Sequence, residues 1–304
     1  MLPERRSMRL LSLAALSIAA LTAVFLAGCA ILEGNPAAVS SRGLRSAMRR
    51  WNEPADPVRI VGNVYFVGTN QLAMFLIVTP AGNILIDSGF DESVPLVERS
   101  VQRLGFRFED IKILLASHAH PDHVGGHARV KELTGARLLA TAPDAALIRS
   151  GGGGPLALGM TWRPATVDAV LADGDKVELG GTVLYAHLTG GHTPGATTWT
   201  TTVDEDGQRL QVVFFSSATL FEETPLRGNK DYPGIVEDFE RSYAFWKSVP
   251  CDVFLAPHGD FFQLDDKRER ALRGERPSPF IDREGWKRLI AAQERNFRRR
   301  LAAD

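Results

Sequence analysis

Cysteine is scarce in this chain: Cys29 and Cys251 are the only two in 304 residues. If Cys29 is consumed in processing, no intrachain disulfide can form, and the fold must rest on its core. A basic excess is missing as well. The 35 Lys and Arg residues meet 36 Asp and Glu, for a formal net charge of -1. Binding to nucleic acid through a charged surface is therefore disfavoured. No internal apolar run is long enough to span a bilayer; the one long run lies at the N-terminus. Apolar side chains, 44% of residues, are plentiful enough for one large domain or two tightly fused halves.

Arg5, Arg6 and Arg9 precede an apolar stretch over 10–26, which Leu26-Ala27-Gly28-Cys29 closes. This order of regions is that of a secretory signal. Its last four residues resemble the lipobox of bacterial lipoproteins, and by that resemblance Cys29 is lipidated and begins the mature chain. The expected division is a lipoprotein-type signal peptide over 1–28, a tether and lead-in over 29–56, and one domain over 57–304. The expected location is outside the cytoplasm, periplasmic, with membrane attachment only through the lipid. Cys251, ahead of an apolar strand, reads as a small buried side chain.

Apolar runs set off by turn signals at Gly62-Asn63 and Pro80-Ala81-Gly82-Asn83 predict strands over 58–67, 74–79 and 83–87, and helical spacing then predicts a helix over 94–104. A strand over 111–117, a helix from Asp122, a strand over 137–141 and a short helix near 144–149 follow. Gly151-Gly152-Gly153-Gly154-Pro155 interrupts the pattern, as a flexible loop or lid, or as a plain surface linker. Strands resume over 169–172, 176–179, 183–187, 197–203 and 210–215. A helix over 235–248, a strand over 253–256 and a basic amphipathic helix over 282–301 complete the chain. Strands then helices occur twice, which predicts an α/β (α+β) fold of two packed sheets covered outside by helices.

The chemistry concentrates in His118-Ala119-His120-Pro121-Asp122-His123, which holds three of the seven histidines. Read as the end of the strand over 111–117, His118 and His120 share one face and can reach one metal ion. Pro121 stops the strand, and the turn can aim Asp122 and His123 at a second, adjacent point. His192, in Gly190-Gly191-His192-Thr193-Pro194-Gly195, and His258, in Ala256-Pro257-His258-Gly259-Asp260, sit at strand ends where such loops gather. The candidate ligands are thus five imidazoles and one carboxylate, a set that suits zinc. His127 reads as a non-ligand because the set is complete without it, and His187 reads as structural.

His-x-His-x-Asp-His, Gly-His-Thr-Pro-Gly and a final strand-end histidine together resemble the metallo-β-lactamase superfamily, over residues 58–262. The resemblance implies a four-layer αβ/βα sandwich with two Zn2+ in a cleft at the edge of the sheets. By matching positions, His118, His120 and His192 hold one zinc, and Asp122, His123 and His258 the other. Asp87 looks like the family's outer aspartate, orienting a ligand histidine. Glyoxalase II-like and lactonase-like members carry a bridging aspartate where this chain has Ala218. That difference, Trp51-Asn52-Glu53-Pro54, Gly228-Asn229-Lys230-Asp231-Tyr232-Pro233 and the absence of a cysteine ligand look like subclass B3. The implied activity is hydrolysis of the β-lactam amide, a small-molecule substrate, by a metal-bound hydroxide, with Asp122 orienting the nucleophile. Ser217 and Thr219 are candidate donors to the substrate carboxylate. The alternatives are a hydrolase of the same fold acting on a lactone, thioester or phosphodiester, or a metal-binding lipoprotein without catalysis.

Overall fold

The computed structural model describes residues 48–304; the signal-like segment, Cys29 and most of the predicted tether lie outside the described residues. Seven strands form one sheet in simple chain order: β1 (Val58–Val61), β2 (Val64–Phe66), β3 (Phe75–Thr79), β4 (Gly82–Ile86), β5 (Ile111–Leu115), β6 (Arg137–Thr141) and β7 (Ala169–Leu171). Pairing is antiparallel from β1 to β4 and parallel from β4 to β7. The second sheet contains β8 (Lys176–Leu179), β9 (Thr182–Leu188), β10 (Thr197–Glu205), β11 (Gln208–Phe214) and β12 (Val253–Leu255), in the order β12-β11-β10-β9-β8. Only its β11–β12 pair is parallel.

The two-residue period of a strand assigns the core. On β3, Phe75 and Ile77 enter the cluster shared with the second sheet, while Leu76 faces the opposite cluster. On β4, Ile84 and Ile86 face the first cluster and Leu85 the second. The central strands of the first sheet are therefore apolar on both faces, as a doubly covered sheet requires. Helices α1 (Val94–Arg103), α2 (Pro121–Val124), α3 (His127–Thr134) and α4 (Ala142–Ser150) contribute Val97, Val124, Val130 and Ile148 to the outer cluster. Helices α5 (Ile235–Ser248) and α7 (Arg283–Ala303) add Phe239, Trp246, Trp286 and Phe297 to the other. Two sheets flanked by helices are thus present, as the sequence pattern predicts.

Local differences from the prediction have physical causes. The strand predicted over 111–117 ends at Leu115, so His118 and His120 are not strand residues. The backbone leaves the sheet because Ser117 N–H donates to Asp87 Oδ1 and the Ser117 carbonyl accepts from Thr197 N–H, at 2.7 and 2.8 Å. The single helix expected from Asp122 is broken into α2 and α3 around Gly125-Gly126. Helix α6 (Leu264–Leu272) is not predicted at all; Leu-Asp-Asp-Lys-Arg-Glu-Arg-Ala-Leu has too few apolar positions to show a helical stripe.

The glycine tract is not slack chain. Gly151 to Gly154 all have φ between +77° and +80°, and the segment closes as a hairpin. Gly153 N–H donates to Met160 O at 2.8 Å and Trp162 N–H to Gly151 O at 2.9 Å. A Cβ on Gly152 would lie 2.5 Å from the Trp162 ring. Four left-handed residues in a row explain the four glycines better than flexibility does. Among the described residues, no helix is long and apolar enough to cross a membrane.

Candidate metal centre

Four strand ends deliver the candidate residues. β4 leads into Asp87, and β5 into the segment 116–123. The β9–β10 connection carries His192, and β12 runs into His258. Each approach is held by specific contacts. Trp199 on β10 donates its indole N–H to the Ala116 carbonyl at 2.9 Å, two residues before His118. A buried hydrogen bond of this kind contributes about 1 kcal/mol, and here it also joins the second sheet to the histidine motif. Gly191, at φ +133°, lies against α5 so closely that a Cβ would stand 2.6 Å from the Phe239 ring. Pro121 occupies the first turn of α2, where its missing N–H costs nothing, and Asp122 and His123 follow it.

The result is two clusters. His118, His120 and His192 each offer a ligand atom, and these atoms lie within 4.8 Å of one another. Asp122, His123 and His258 form a second set on the same criterion. Rings of His118 and His123 stand 4.2 Å apart, centroid to centroid, so the clusters adjoin. Asp122 Oδ2 is 3.3 Å from His123 Nε2 and 3.3 Å from His258 Nε2. His192 donates Nδ1–H to the Thr219 carbonyl at 2.7 Å, which leaves Nε2 with its lone pair directed elsewhere. The Leu156 backbone, from the glycine hairpin, faces His120.

Electrostatics favour a cation here. Burial, reinforced by neighbouring imidazoles, holds His118 and His192 well below the usual imidazole range. Burial likewise lowers His120 to about 4. Three neutral imidazoles at neutral pH present lone pairs, which is what a metal needs. In the second cluster burial disfavours charge on both partners, yet attraction to His123 and His258 keeps Asp122 well below the carboxylate range. On His123 burial is outweighed by Asp122 and Asp87, which raise it to about 10. These carboxylates call for positive charge between them. His123 Nε2 is buried and makes no hydrogen bond despite the carboxylate oxygen 3.3 Å away. A metal cation satisfies Nε2, Asp122 and His258 together, whereas a proton serves one pair only. The residues present therefore fit a bound metal.

Asp87 lies where an orienting carboxylate is expected. Its Oδ2 is 3.4 Å from His123 Nδ1 and accepts the Ser117 hydroxyl at 2.7 Å. Its backbone is left-handed, at φ +63°, a conformation Asp tolerates better than most residues. Ser217 and Thr219 sit beside each other: Ser217 Oγ accepts from Thr219 N–H and donates to Thr219 Oγ1. Thr219 also touches the centre through its carbonyl, a contact that residue type alone cannot announce. His127 belongs to neither cluster; its Nδ1 is 2.7 Å from Ser88 Oγ, which in turn bonds the His123 carbonyl. His187 stacks on Phe245 and hydrogen-bonds Thr200, away from both sets. Cys251 is half-buried, and burial pushes its thiol up.

Sequence reasoning does not place three neighbours at the site, although it singles out the segment that holds Trp51. Trp51 packs edge-on against His258, at 5.2 Å between centroids. Phe221 flanks His120 and His192 at 6.2 and 5.6 Å. Asp144, in the first turn of α4, is buried, and burial raises it to about 7, although Thr193 Oγ1 donates to it at 3.4 Å and the Ala119 and Gly195 backbones face it. It thereby joins the His118–His120 loop to the His192 loop. Its only sequence signal is a carboxylate at a helix start, which reads as ordinary capping.

Comparisons with known proteins identify the family. The family model described as "Metallo-beta-lactamase superfamily" matches residues 67–204. The FEZ-1 metallo-β-lactamase from Legionella gormanii is 43% identical with a TM-score of 0.80, over 82% of this chain and 96% of that one. This chain belongs to the metallo-β-lactamase superfamily. BJP-1, a subclass B3 metallo-β-lactamase of Bradyrhizobium japonicum, is 35% identical with a TM-score of 0.79, over 84% and 97% of the two chains. Among curated relatives, a hydroxyacylglutathione hydrolase of Pseudomonas aeruginosa is 38% identical over 90 residues, 30% of this chain. That match spans 27% of the relative's own length. The superfamily fold, the His/Asp clusters and the B3 likeness make the protein a metallo-hydrolase.

Two outcomes are expected. Asp87→Asn keeps the shape but removes the charge facing His123, so zinc affinity should fall by about 10- to 100-fold, measured by competition with a chromophoric chelator. A variant with wild-type affinity would show that Asp87 serves Ser117 alone. Burial, with His123 and Lys131, lowers His127 from 6.5 to about 3. Between those values the unfolded chain binds a proton that the folded chain refuses, so stability falls as pH falls, by up to about 1.4 kcal/mol per pH unit. Urea titrations of metal-free protein from pH 7 to 5 should show a shallower acid loss for His127→Gln than for wild type.

Proposed function

We propose that this metallo-hydrolase opens the amide bond of β-lactams with two zinc ions. The observation that carries the reading is the extent of the β-lactamase likeness: it spans 96% of the Legionella enzyme and 97% of the subclass B3 enzyme of Bradyrhizobium, against 27% of the hydroxyacylglutathione hydrolase. Ala218 supports it, since a buried methyl group stands where thioesterase- and lactonase-like members place a bridging carboxylate.

In this reading His118, His120 and His192 hold one ion, and Asp122, His123 and His258 the other. Bound zinc would supply Lewis acidity toward a carbonyl and make water ionisable near pH 7. The chain supplies the rest. Asp122 turns Oδ2 toward His123 and His258, which leaves Oδ1 to accept a hydrogen bond from attacking water and orient it. Ser217 Oγ donates to Thr219 Oγ1, so the Thr219 O–H is free to donate to a substrate carboxylate. Phe221 and Trp51 provide apolar walls that limit water at the imidazoles. The Leu26-Ala27-Gly28-Cys29 sequence supports export and lipid anchoring at Cys29, on the side of the membrane where β-lactams act.

Purified zinc-loaded protein should hydrolyse at least one of a penicillin, a cephalosporin and a carbapenem with kcat/KM of about 10⁴ M⁻¹s⁻¹ or more. Chelator should abolish the activity and zinc restore it. Turnover of a glutathione thioester with none of any β-lactam would replace this reading with the thioesterase one, which the match to the hydroxyacylglutathione hydrolase favours locally. For the anchor, Cys29→Ser should move the expressed protein from the membrane to the soluble fraction; unchanged fractionation would refute lipidation.

A further inference from the structure

Residues 221–227 wall the metal centre through Phe221, yet contain no helix or strand. Their backbone groups still need partners. Two side chains from the last turn of α7 and its end provide them. Arg300 donates from Nη1 to the Phe221 carbonyl at 3.1 Å, and from Nη2 to the Glu222 and Thr224 carbonyls, both at 3.0 Å. Asp304 Oδ2 accepts from the N–H groups of Leu226 and Arg227 at 2.6 and 2.7 Å. Leu226 is buried in the core, so the segment is fixed at that point, and Phe221 at its other end lies against the imidazoles.

Arg300 suits this task because a planar guanidinium presents several N–H groups in a rigid fork, and it meets three carbonyls at once. Helix α7 is itself immobilised by the core. Phe297, one turn before Arg300, packs on Phe239 at 5.1 Å between centroids. Phe239 is the ring that supports Gly191 beside His192.

We infer that Arg300 is a positioning residue that sets the place of the Phe221 wall, and through it the binding of substrate, without touching the reacting atoms. The inference rests on the hydrolase reading only for its kinetic consequence. Holding the wall affects how well a substrate is seated; it does not alter the ligand set, so KM should move and kcat should not.

The test compares zinc-loaded wild type, Arg300→Ala and Arg300→Lys. Two measurements are made: steady-state kinetics on the best β-lactam of the panel, and limited trypsin digestion after the exposed Arg227. Arg300→Ala should raise KM by roughly tenfold with kcat within about twofold and zinc content unchanged. Cleavage after Arg227 should quicken by about tenfold or more, because the segment opens more often. Arg300→Lys keeps the charge without the fork and should recover only part of both effects. Wild-type KM and cleavage in Arg300→Ala overturn the inference. So does a joint fall of kcat, zinc content and Tm, which marks a purely structural residue. If wild type turns over no β-lactam, the proposed function falls by itself, and the trypsin result still decides whether Arg300 holds the segment.

Discussion

The carboxylate of Asp87 receives both protons that Ser117 can donate, and the same group faces His123 Nδ1 at 3.4 Å. One buried anion therefore ties the end of β4 to the start of the histidine motif and to a ring within it. A carboxylate at 1% exposure is tolerated only when its charge is answered. Ser117 answers part of it, and the cation called for beside Asp122 and His123 answers the rest. Metal affinity and folding are then coupled through one set of contacts, so a change that loosens the strand ends weakens the site, and a loss of metal leaves charge uncompensated in the interior.

Joining two sheets at their strand ends gives the centre its geometry. His118, His120, Asp122 and His123 come from the first sheet, and His192 and His258 from the second. Neither half can close a cluster alone. Trp199, reaching from β10 to the Ala116 carbonyl, and the Thr197 to Ser117 backbone bond hold the sheets in register at that edge. The packed interface between the sheets is consequently also the ruler for the distances between ligand atoms.

Much of this was legible because the signals are local. Short apolar runs bounded by turn residues mark β3 and β4, and the histidine hexapeptide carries four of the six candidate ligands within one turn of chain. The two-sheet architecture follows from the repeated order of strands and helices. What stays hidden depends on partners far along the chain. Asp144 looks like a helix-start acid until the loops it bonds are in place. Phe221, Trp51 and Arg300 acquire meaning only by proximity, across separations that no spacing rule covers. Strand ends are another weak point: β5 stops two residues early because Asp87 captures Ser117, a long-range event that propensity cannot express.

The glycine hairpin has a corollary for substitution. At its base, Gly151 and Gly152 admit no side chain, because a Cβ would strike Trp162 at 2.6 and 2.5 Å. At its tip, Leu158 is exposed and Gly159 faces open space. The base is thus closed to larger residues by its packing, while the tip has room for them. Since the hairpin reaches His120 through its main chain, at Leu156, side chains there can be exchanged without removing the contact. Substitution at the tip therefore leaves the main-chain approach to the metal centre in place.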